Sequence, residues 1–94
     1  MKKIKINKGF ITQKSGKKLT IFDPEASIVY SFNETAAFIF ERIKRDSTVG
    51  EIIEKVCKKY DVSKDKAQRD VSEFLNILVK NKIVTRLHNT HRIE

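Results

Sequence analysis

The chain has 94 residues, of which 39% are hydrophobic and 34% are charged, and its formal net charge is +8. A chain of this length predicts one domain, over residues 1–94, around a single modest core. Its one cysteine, Cys57, excludes a disulfide framework and a metal site built on thiolates, and we interpret it as a core residue. The sequence has no apolar run as long as a membrane span and no signal peptide, so we expect a cytoplasmic protein without a membrane partner.

The positive charge is concentrated in the first third of the chain. Residues 1–32 carry seven lysines and two acids, whereas residues 33–94 carry thirteen lysines and arginines and ten acids. A basic surface favours an anionic partner, either nucleic acid or an acidic peptide. A lysine-rich face that only keeps the chain in solution explains the same excess equally well.

Residues in the first third alternate with a period of two, which predicts three strands. Residues 9–14 form the first run and residues 18–23 the second, with turn-forming residues between them. The only proline, Pro24, lies in the next turn, and residues 27–32 form the third run. These runs predict a three-stranded antiparallel meander over about residues 9–32.

The third strand is the part of the meander that we expect to be open to another chain. Three short strands leave exposed edges, and an edge strand is a template for further pairing. This strand has no charged residue and no proline that would discourage such pairing. We therefore predict that it binds an extended peptide through five residues, of which the first, third and fifth share one face: Ile28, Val29, Tyr30, Ser31 and Phe32.

From Asn33 onward the apolar period changes to about 3.6, which predicts three helices over about residues 33–81. Asn33 is a suitable N-cap for the first helix, and Thr48 with Glu51 matches a capping box at the start of the second. Residues 61–63, which finish with Ser63, are predicted to end the second helix and to cap the third, which runs from about Lys64 to Lys80. Strands followed by helices predict an α+β fold, which is winged-helix-like with a three-helix bundle after the meander.

The third helix has more apolar surface than a one-sided helix requires. Ile77 and Val79 lie on opposite flanks of its core row, and they widen its apolar arc to roughly 200° against about 100° for a one-sided helix. Either the sheet or residues 83–84 cover the extra apolar surface of this helix, or part of that surface lines a groove. For such a groove we favour one flank, with the Ile77 flank as the alternative. The core row is Ala67, Val71, Phe74, Leu75 and Leu78, and the favoured flank is Gln68, Ser72, Leu75 and Val79.

The remaining residues do not predict catalysis. Residues 83–87 fit either a short fourth strand or an apolar plug, and residues 88–94 predict a polar, frayed tail. His88 and His91 in that tail lack the further ligands that a metal site needs. Cys57 has no histidine partner at a recognisable spacing, and the sequence has no glycine-rich phosphate loop. We therefore predict that the protein is not an enzyme and holds no cofactor or metal.

Two binding functions fit this arrangement: addition of a peptide to the sheet edge, or insertion of the third helix into DNA. Three lysines of the hairpin would suit contacts to a DNA backbone: Lys14, Lys17 and Lys18. Three acids of the third helix, Asp65, Asp70 and Glu73, would face the phosphates unfavourably. Peptide binding is therefore our first hypothesis, and a winged-helix DNA-binding protein is the alternative. A homodimer paired through the third strands is a further possibility.

Four segments resemble those of the PqqD-like proteins. Residues 30–40 read YSFNETAAFIF and are similar to the family's Y-x-L-N-x-T-A-x-x-I-W; residues 48–52 read TVGEI and are similar to its T-V-x-E-I. Residues 60–62 and 70–78 are similar to its Y-D-V and D-V-x-x-F-L-x-x-L. The resemblance covers about residues 9–85, with the segments in order at matching spacing. The end of the third helix lacks the family's usual glycine.

The resemblance implies a recognition element for ribosomally made, post-translationally modified peptides. Such proteins are peptide chaperones that hold the leader of a precursor peptide as an added strand against the third strand, beside the third helix. They present the rest of the precursor to a partner, which is a radical-SAM maturase in some systems and a leader protease in others. On this interpretation we expect no nucleic acid partner, and either a monomer or a homodimer formed through the open strand or by domain swapping.

Overall fold

A computed structural model of the protein describes residues 3–87. Within this range the strands are β1 (Lys3–Ile6), β2 (Ile11–Ser15), β3 (Lys18–Asp23), β4 (Ile28–Phe32) and β5 (Val84–Leu87). The helices are α1 (Glu34–Lys44), α2 (Val49–Tyr60) and α3 (Lys64–Lys80). None of these helices is long and apolar enough to cross a membrane. The predicted polar tail, with His88 and His91, lies outside the described residues.

Strands β2, β3 and β4 form the predicted antiparallel meander, with β3 in the centre. Leu19 pairs with Phe32 and Ile21 pairs with Tyr30 across β3 and β4, so these side chains share the inner face of the sheet. Leu19 and Ile21 are buried, whereas every residue of β2 is exposed. Strand β2 therefore lies away from the core, and β3 with the inner face of β4 forms the part of the sheet that packs on the helices.

A second sheet, which was not predicted as such, joins the two ends of the described chain. β1 pairs antiparallel with β5, with Ile4 opposite Arg86 and Ile6 opposite Val84. The predicted alternatives for residues 83–87 are therefore resolved in favour of a strand. Ile4, Val84 and the adjacent Ile83 are buried, and the two strands pack on α1 and α3. This sheet covers part of the apolar surface of α3.

The three N-caps expected from the sequence are present. Asn33 accepts a hydrogen bond from the backbone N–H of Ala36 at 3.0 Å. The hydroxyl of Thr48 accepts from the N–H of Glu51 at 3.2 Å, and the Glu51 carboxylate accepts from the N–H of Thr48 at 2.8 Å. The Ser63 hydroxyl caps α3 by accepting a hydrogen bond from the N–H of Lys66 at 3.1 Å. Each cap of this kind stabilises a helix by about 1 kcal/mol.

The end of α3 is formed without a glycine. Lys82 takes the left-handed conformation, with φ of 61°, in place of the glycine that usually ends such a helix. Its N–H donates to the carbonyl of Val79 at 3.0 Å, and the N–H of Ile83 donates to the carbonyl of Leu78 at 2.8 Å. These bonds offset the cost of about 1–2 kcal/mol that a side chain incurs in this conformation. The predicted bounds of the third helix are confirmed.

The core lies between the helices and the two sheets. The predicted core row of α3 is confirmed, since all five of its side chains are at most 5% exposed. The largest completely buried side chains come from β3, all three helices and the segment leading into β5: Ile21, Ile39, Ile52, Leu75, Leu78 and Ile83.

Candidate peptide-binding site

Strand β4 forms one edge of the meander, because the sheet ends on its side away from β3. Two of its apolar side chains are unusually accessible, with Val29 61% and Ile28 43% exposed. The turn before the strand is held by Asp23, whose carboxylate accepts hydrogen bonds from the backbone N–H groups of Glu25 and Ala26. The edge is therefore a short, uncharged strand held in place by its turn, which is an arrangement suited to pairing with another strand.

A groove of about 570 Å³ runs beside the last residues of this strand, between the start of α1 and one face of α3. Ser31 and Phe32 of β4 form part of its lining, and α3 forms the opposite wall. The volume lies within the range of about 300–1,000 Å³ that is typical of ligand sites. From α1 and its N-cap the groove is lined by Asn33, Thr35, Ala36 and Ile39, and from α3 by Lys66, Asp70, Glu73, Phe74 and Ile77.

Three aromatic rings connect the strand to the helix. Phe32 packs edge to face on Phe74, with ring centroids 5.0 Å apart, and Tyr30 stacks on Phe32 at 6.3 Å. Phe74 is 5% exposed, whereas Phe32 and Tyr30 are half-buried. The two strand rings therefore combine a packing role with a surface that is open to a bound molecule.

The predicted strand residues lie together along the edge. Ser31 and Phe32 line the groove, and Tyr30 lies next to Phe32 on the same face of β4. Ile28 and Val29 continue the edge beyond the groove as exposed residues. A peptide-binding role for these five residues stays a prediction, and the structure brings all five together on one strand.

The favoured flank of the third helix does not line the groove. Leu75 is completely buried in the core, while Gln68, Ser72 and Val79 are exposed elsewhere on α3. The alternative flank, with Ile77, faces β4 instead. The two flanks lie symmetrically about the core row, so periodicity cannot distinguish them. Packing of Phe74 against Phe32 places the Ile77 side next to the strand.

The polar wall of the groove was not assigned from the sequence. Lys66, Asp70, Glu73 and Ile77 follow one another at intervals of three or four residues, which places them on one ridge of α3. This spacing is a usable signal, but Asp70 and Glu73 were considered only as acids that would disfavour DNA binding. Asn33 was recognised only as a cap, although it also lines the groove.

The charge of this ridge differs from that of the chain as a whole. The Lys66 ammonium and the Asp70 carboxylate form an ion pair at 3.1 Å. Glu73 is exposed and has no ion pair within 4 Å among residues 4–86, whose side chains the structure describes. Within the described part of the chain, the ridge therefore carries one negative charge without an ion-pair partner, in a protein whose net charge is +8.

A second aromatic cluster lies on another face of α1. Phe38 packs edge to face on Tyr60 at 5.9 Å, and the cations of Arg42 and Lys59 lie over the Phe38 ring at 5.4 and 5.3 Å. Burial raises the pKa of the Tyr60 phenol, and the nearby Glu34 carboxylate raises it further, while the Thr35 side chain acts in the opposite direction. This cluster does not line the groove beside β4.

The part of the chain that the structure describes contains no group of three or more metal-ligating side chains. Cys57 is partly buried and packs against the core. It therefore lies at the margin of the core and not within the buried cluster where the sequence analysis placed it.

Fold and site together define a winged-helix-like α+β protein with an open edge strand beside an aromatic groove. Residues 19–84 match the family described as coenzyme PQQ synthesis protein D (PqqD). The chain belongs to this family, as the sequence resemblance indicated.

Two solved structures have the same fold. One, described as TbiB1 in complex with the TbiA(beta) leader peptide, is 16% identical, with a TM-score of 0.79 over 85% of this chain and 93% of that chain. The other, described as lasso peptide synthetase B1 complexed with the leader peptide, is 17% identical, with a TM-score of 0.80 over 88% of this chain and 98% of that chain. A comparison with curated proteins finds no match.

Proposed function

We propose that this protein binds the leader segment of a ribosomally synthesised precursor peptide and delivers the precursor to an enzyme. The observation that carries this proposal is the open edge of β4 beside the groove on α3. Membership of the PqqD family supports it, and so does the likeness to two proteins whose structures contain leader peptides. The leader would add to the meander as a fourth strand next to β4.

The backbone groups offered to the leader follow from the register of the meander. Ser15 and Lys18 flank a two-residue loop, so they form a hydrogen-bonded pair. The backbone N–H and C=O groups of successive residues in a strand point to opposite sides. In β3, the backbone groups of Leu19, and of every second residue after it, therefore point toward β4. The β4 residues between their partners, Val29 and Ser31, therefore direct their N–H and C=O groups to the open edge. A leader strand would pair with these two residues.

Side chains of the groove would supply selectivity. Phe32 and Ile77 present accessible apolar surface on opposite sides of the groove, with Phe74 packed against Phe32. Complete burial of one aliphatic side chain of the leader would contribute about 1.5–3 kcal/mol. Backbone pairing accepts many sequences, so the apolar contacts would select particular leaders. Because a free leader has to be ordered on binding, we expect affinities in roughly the micromolar to nanomolar range.

The chemistry would belong to the partner enzyme. A radical-SAM maturase or a leader protease would receive the precursor, and this protein would act as its binding subunit or peptide chaperone. The groove lies at the edge of a small domain, so only the leader segment that pairs with β4 would be bound. The rest of an extended precursor would remain accessible to the enzyme. Presentation of that free segment is the role that we propose.

The proposal is tested by titrating a synthetic leader, taken from the precursor gene nearest to that of this protein, into the isotopically labelled protein. Backbone amide signals of Ile28–Phe32 and of the Ile77 side of α3 should shift. Shifts confined to residues 14–18 and the start of α3 would instead favour the winged-helix DNA alternative. That alternative also requires affinity for duplex DNA that falls steeply with salt and persists in a Val29→Pro variant.

A further inference from the structure

The groove wall formed by α3 has an electrostatic character that the net charge of the protein conceals. Lys66 and Asp70 neutralise each other at 3.1 Å. Glu73 lies one turn further along the same ridge, with Ile77 a turn beyond it. Arg69 precedes Glu73 by one turn, but the two side chains form no ion pair within 4 Å. Glu73 is thus the charge of this wall that has no ion-pair partner among residues 4–86.

A peptide strand in the groove would change the surroundings of this carboxylate. Phe74 and Phe32 pack against each other in the lining of the groove, and Ile77 keeps 43% of its surface exposed. A strand beside them would displace water from one side of Glu73. Loss of hydration disfavours a carboxylate unless a cation replaces the water. An acidic residue of the peptide at this point would add repulsion, whereas a basic residue would supply the missing partner.

The spacing of the ridge matches that of a strand. Glu73 and Ile77 are four residues apart on α3, which corresponds to about 6 Å along the helix axis. Side chains on one face of a strand repeat every second residue, at about 6.6–6.8 Å. A strand that runs along α3 would therefore place one side chain opposite Glu73 and the next side chain of the same face opposite Ile77.

We propose that the leader recognised by this groove carries a lysine or arginine opposite Glu73 and an apolar residue two positions away, opposite Ile77. This inference rests on the proposed function and specifies the class of peptide that fits the site. It also separates two effects of charge. The overall charge of +8 attracts acidic peptides at long range, but Glu73 acts within the Debye length of about 8–10 Å and sets the preference at one position.

The experiment is a selection of displayed random peptides of about ten residues, which is enough for a strand to span the ridge. The library is selected on the full-length protein, and clones that still bind the Val29→Pro variant are removed so that binders at the β4 edge remain. Sequencing should show lysine or arginine enriched at one position, with an apolar residue two positions away. Selection on a Glu73→Lys variant should replace that preference with aspartate or glutamate.

A matched control carries the same charge change away from the groove. Glu54→Lys alters an exposed residue of α2 that does not line the site, so its selected peptides should keep the basic position. Synthetic peptides with lysine or glutamate at the selected position should differ in affinity for the wild-type protein by about two- to fivefold, as expected for an accessible ion pair. High salt should reduce this ratio.

The outcomes separate the two proposals. If no peptide is selected on the folded wild-type protein, the proposed function fails and this inference fails with it. If peptides are selected that depend on the β4 edge but show no basic position, or an acidic one, the inference is overturned while the proposed function stands. If Glu54→Lys changes the preference as much as Glu73→Lys does, overall charge is responsible and the assignment to Glu73 is wrong.

Discussion

The ring of Phe32 in β4 meets the ring of Phe74 in α3 edge to face, with centroids 5.0 Å apart and planes at 79°. This contact joins the edge strand directly to the helix that forms the other wall of the groove. Phe74 belongs to the buried row of α3, whereas Phe32 is half-buried and lines the groove. One aromatic pair thus contributes to the orientation of α3 and also supplies part of the apolar surface for a ligand.

Replacement of both rings by leucine should reveal this coupling. In the variants Phe32→Leu, Phe74→Leu and the double variant, we expect a coupling free energy of about 0.5–1.5 kcal/mol, which is the range for aromatic pairs. Urea unfolding of the three variants and the wild type measures it. Additive losses would show that the two rings contribute independently to stability.

The direction of the β4 amides predicts a selective effect of proline. Val29→Pro and Ser31→Pro should each abolish leader binding with little loss of stability, because their N–H groups face the open edge. Tyr30→Pro is the control, because the N–H of Tyr30 donates a hydrogen bond to β3. Loss of this hydrogen bond should lower the free energy of unfolding by at least about 1 kcal/mol. Calorimetry measures the affinity of each variant for the leader, and urea unfolding measures its stability. A folded Val29→Pro variant with normal affinity would contradict strand addition at this edge.

The two exposed apolar residues at the end of α3 provide a matched comparison. Ile77 is 43% exposed and lines the groove, whereas Val79 is 37% exposed and does not. Ile77→Ser should weaken leader binding by about tenfold, because a contact worth about 1.4 kcal/mol is lost. Val79→Ser should leave the affinity unchanged. The opposite result would support a binding role for the flank with Val79, which was favoured from the sequence.

The environment of Tyr60 predicts a change at high pH. Burial first, and then the Glu34 carboxylate, raise the pKa of this phenol above the usual 10.0. In a Tyr30→Phe background, absorbance titration of tyrosinate should show this raised pKa, and Glu34→Gln should lower it. The unfolded chain loses the phenol proton first, so this group makes the folded state less stable as the pH rises above about 10. Tyr60→Phe should remove the part of the stability loss above about pH 10 that the Tyr60 phenol causes. An unchanged dependence of stability on pH in this variant would contradict the prediction.

Local features of the sequence were sufficient for most of the elements. Asn33, Thr48 and Ser63 cap the helices where their side chains predicted it, because a cap depends only on residues within one turn. The core row of α3 follows from helical periodicity in the same way. The alternation of apolar and polar residues likewise predicted the meander, and with it the open edge at β4.

Only the tertiary structure decided which distant segments meet. Residues 3–6 pair with residues 84–87, and nothing within either short run indicates a partner about eighty residues away. The groove likewise depends on which flank of α3 faces β4. A helical wheel does not distinguish the flank with Ile77 from the flank with Val79. The sequence by itself determined that a strand edge and a broadly apolar helix exist. Packing of α3 against Phe32 decided which side of that helix, and therefore which charge, the strand edge faces.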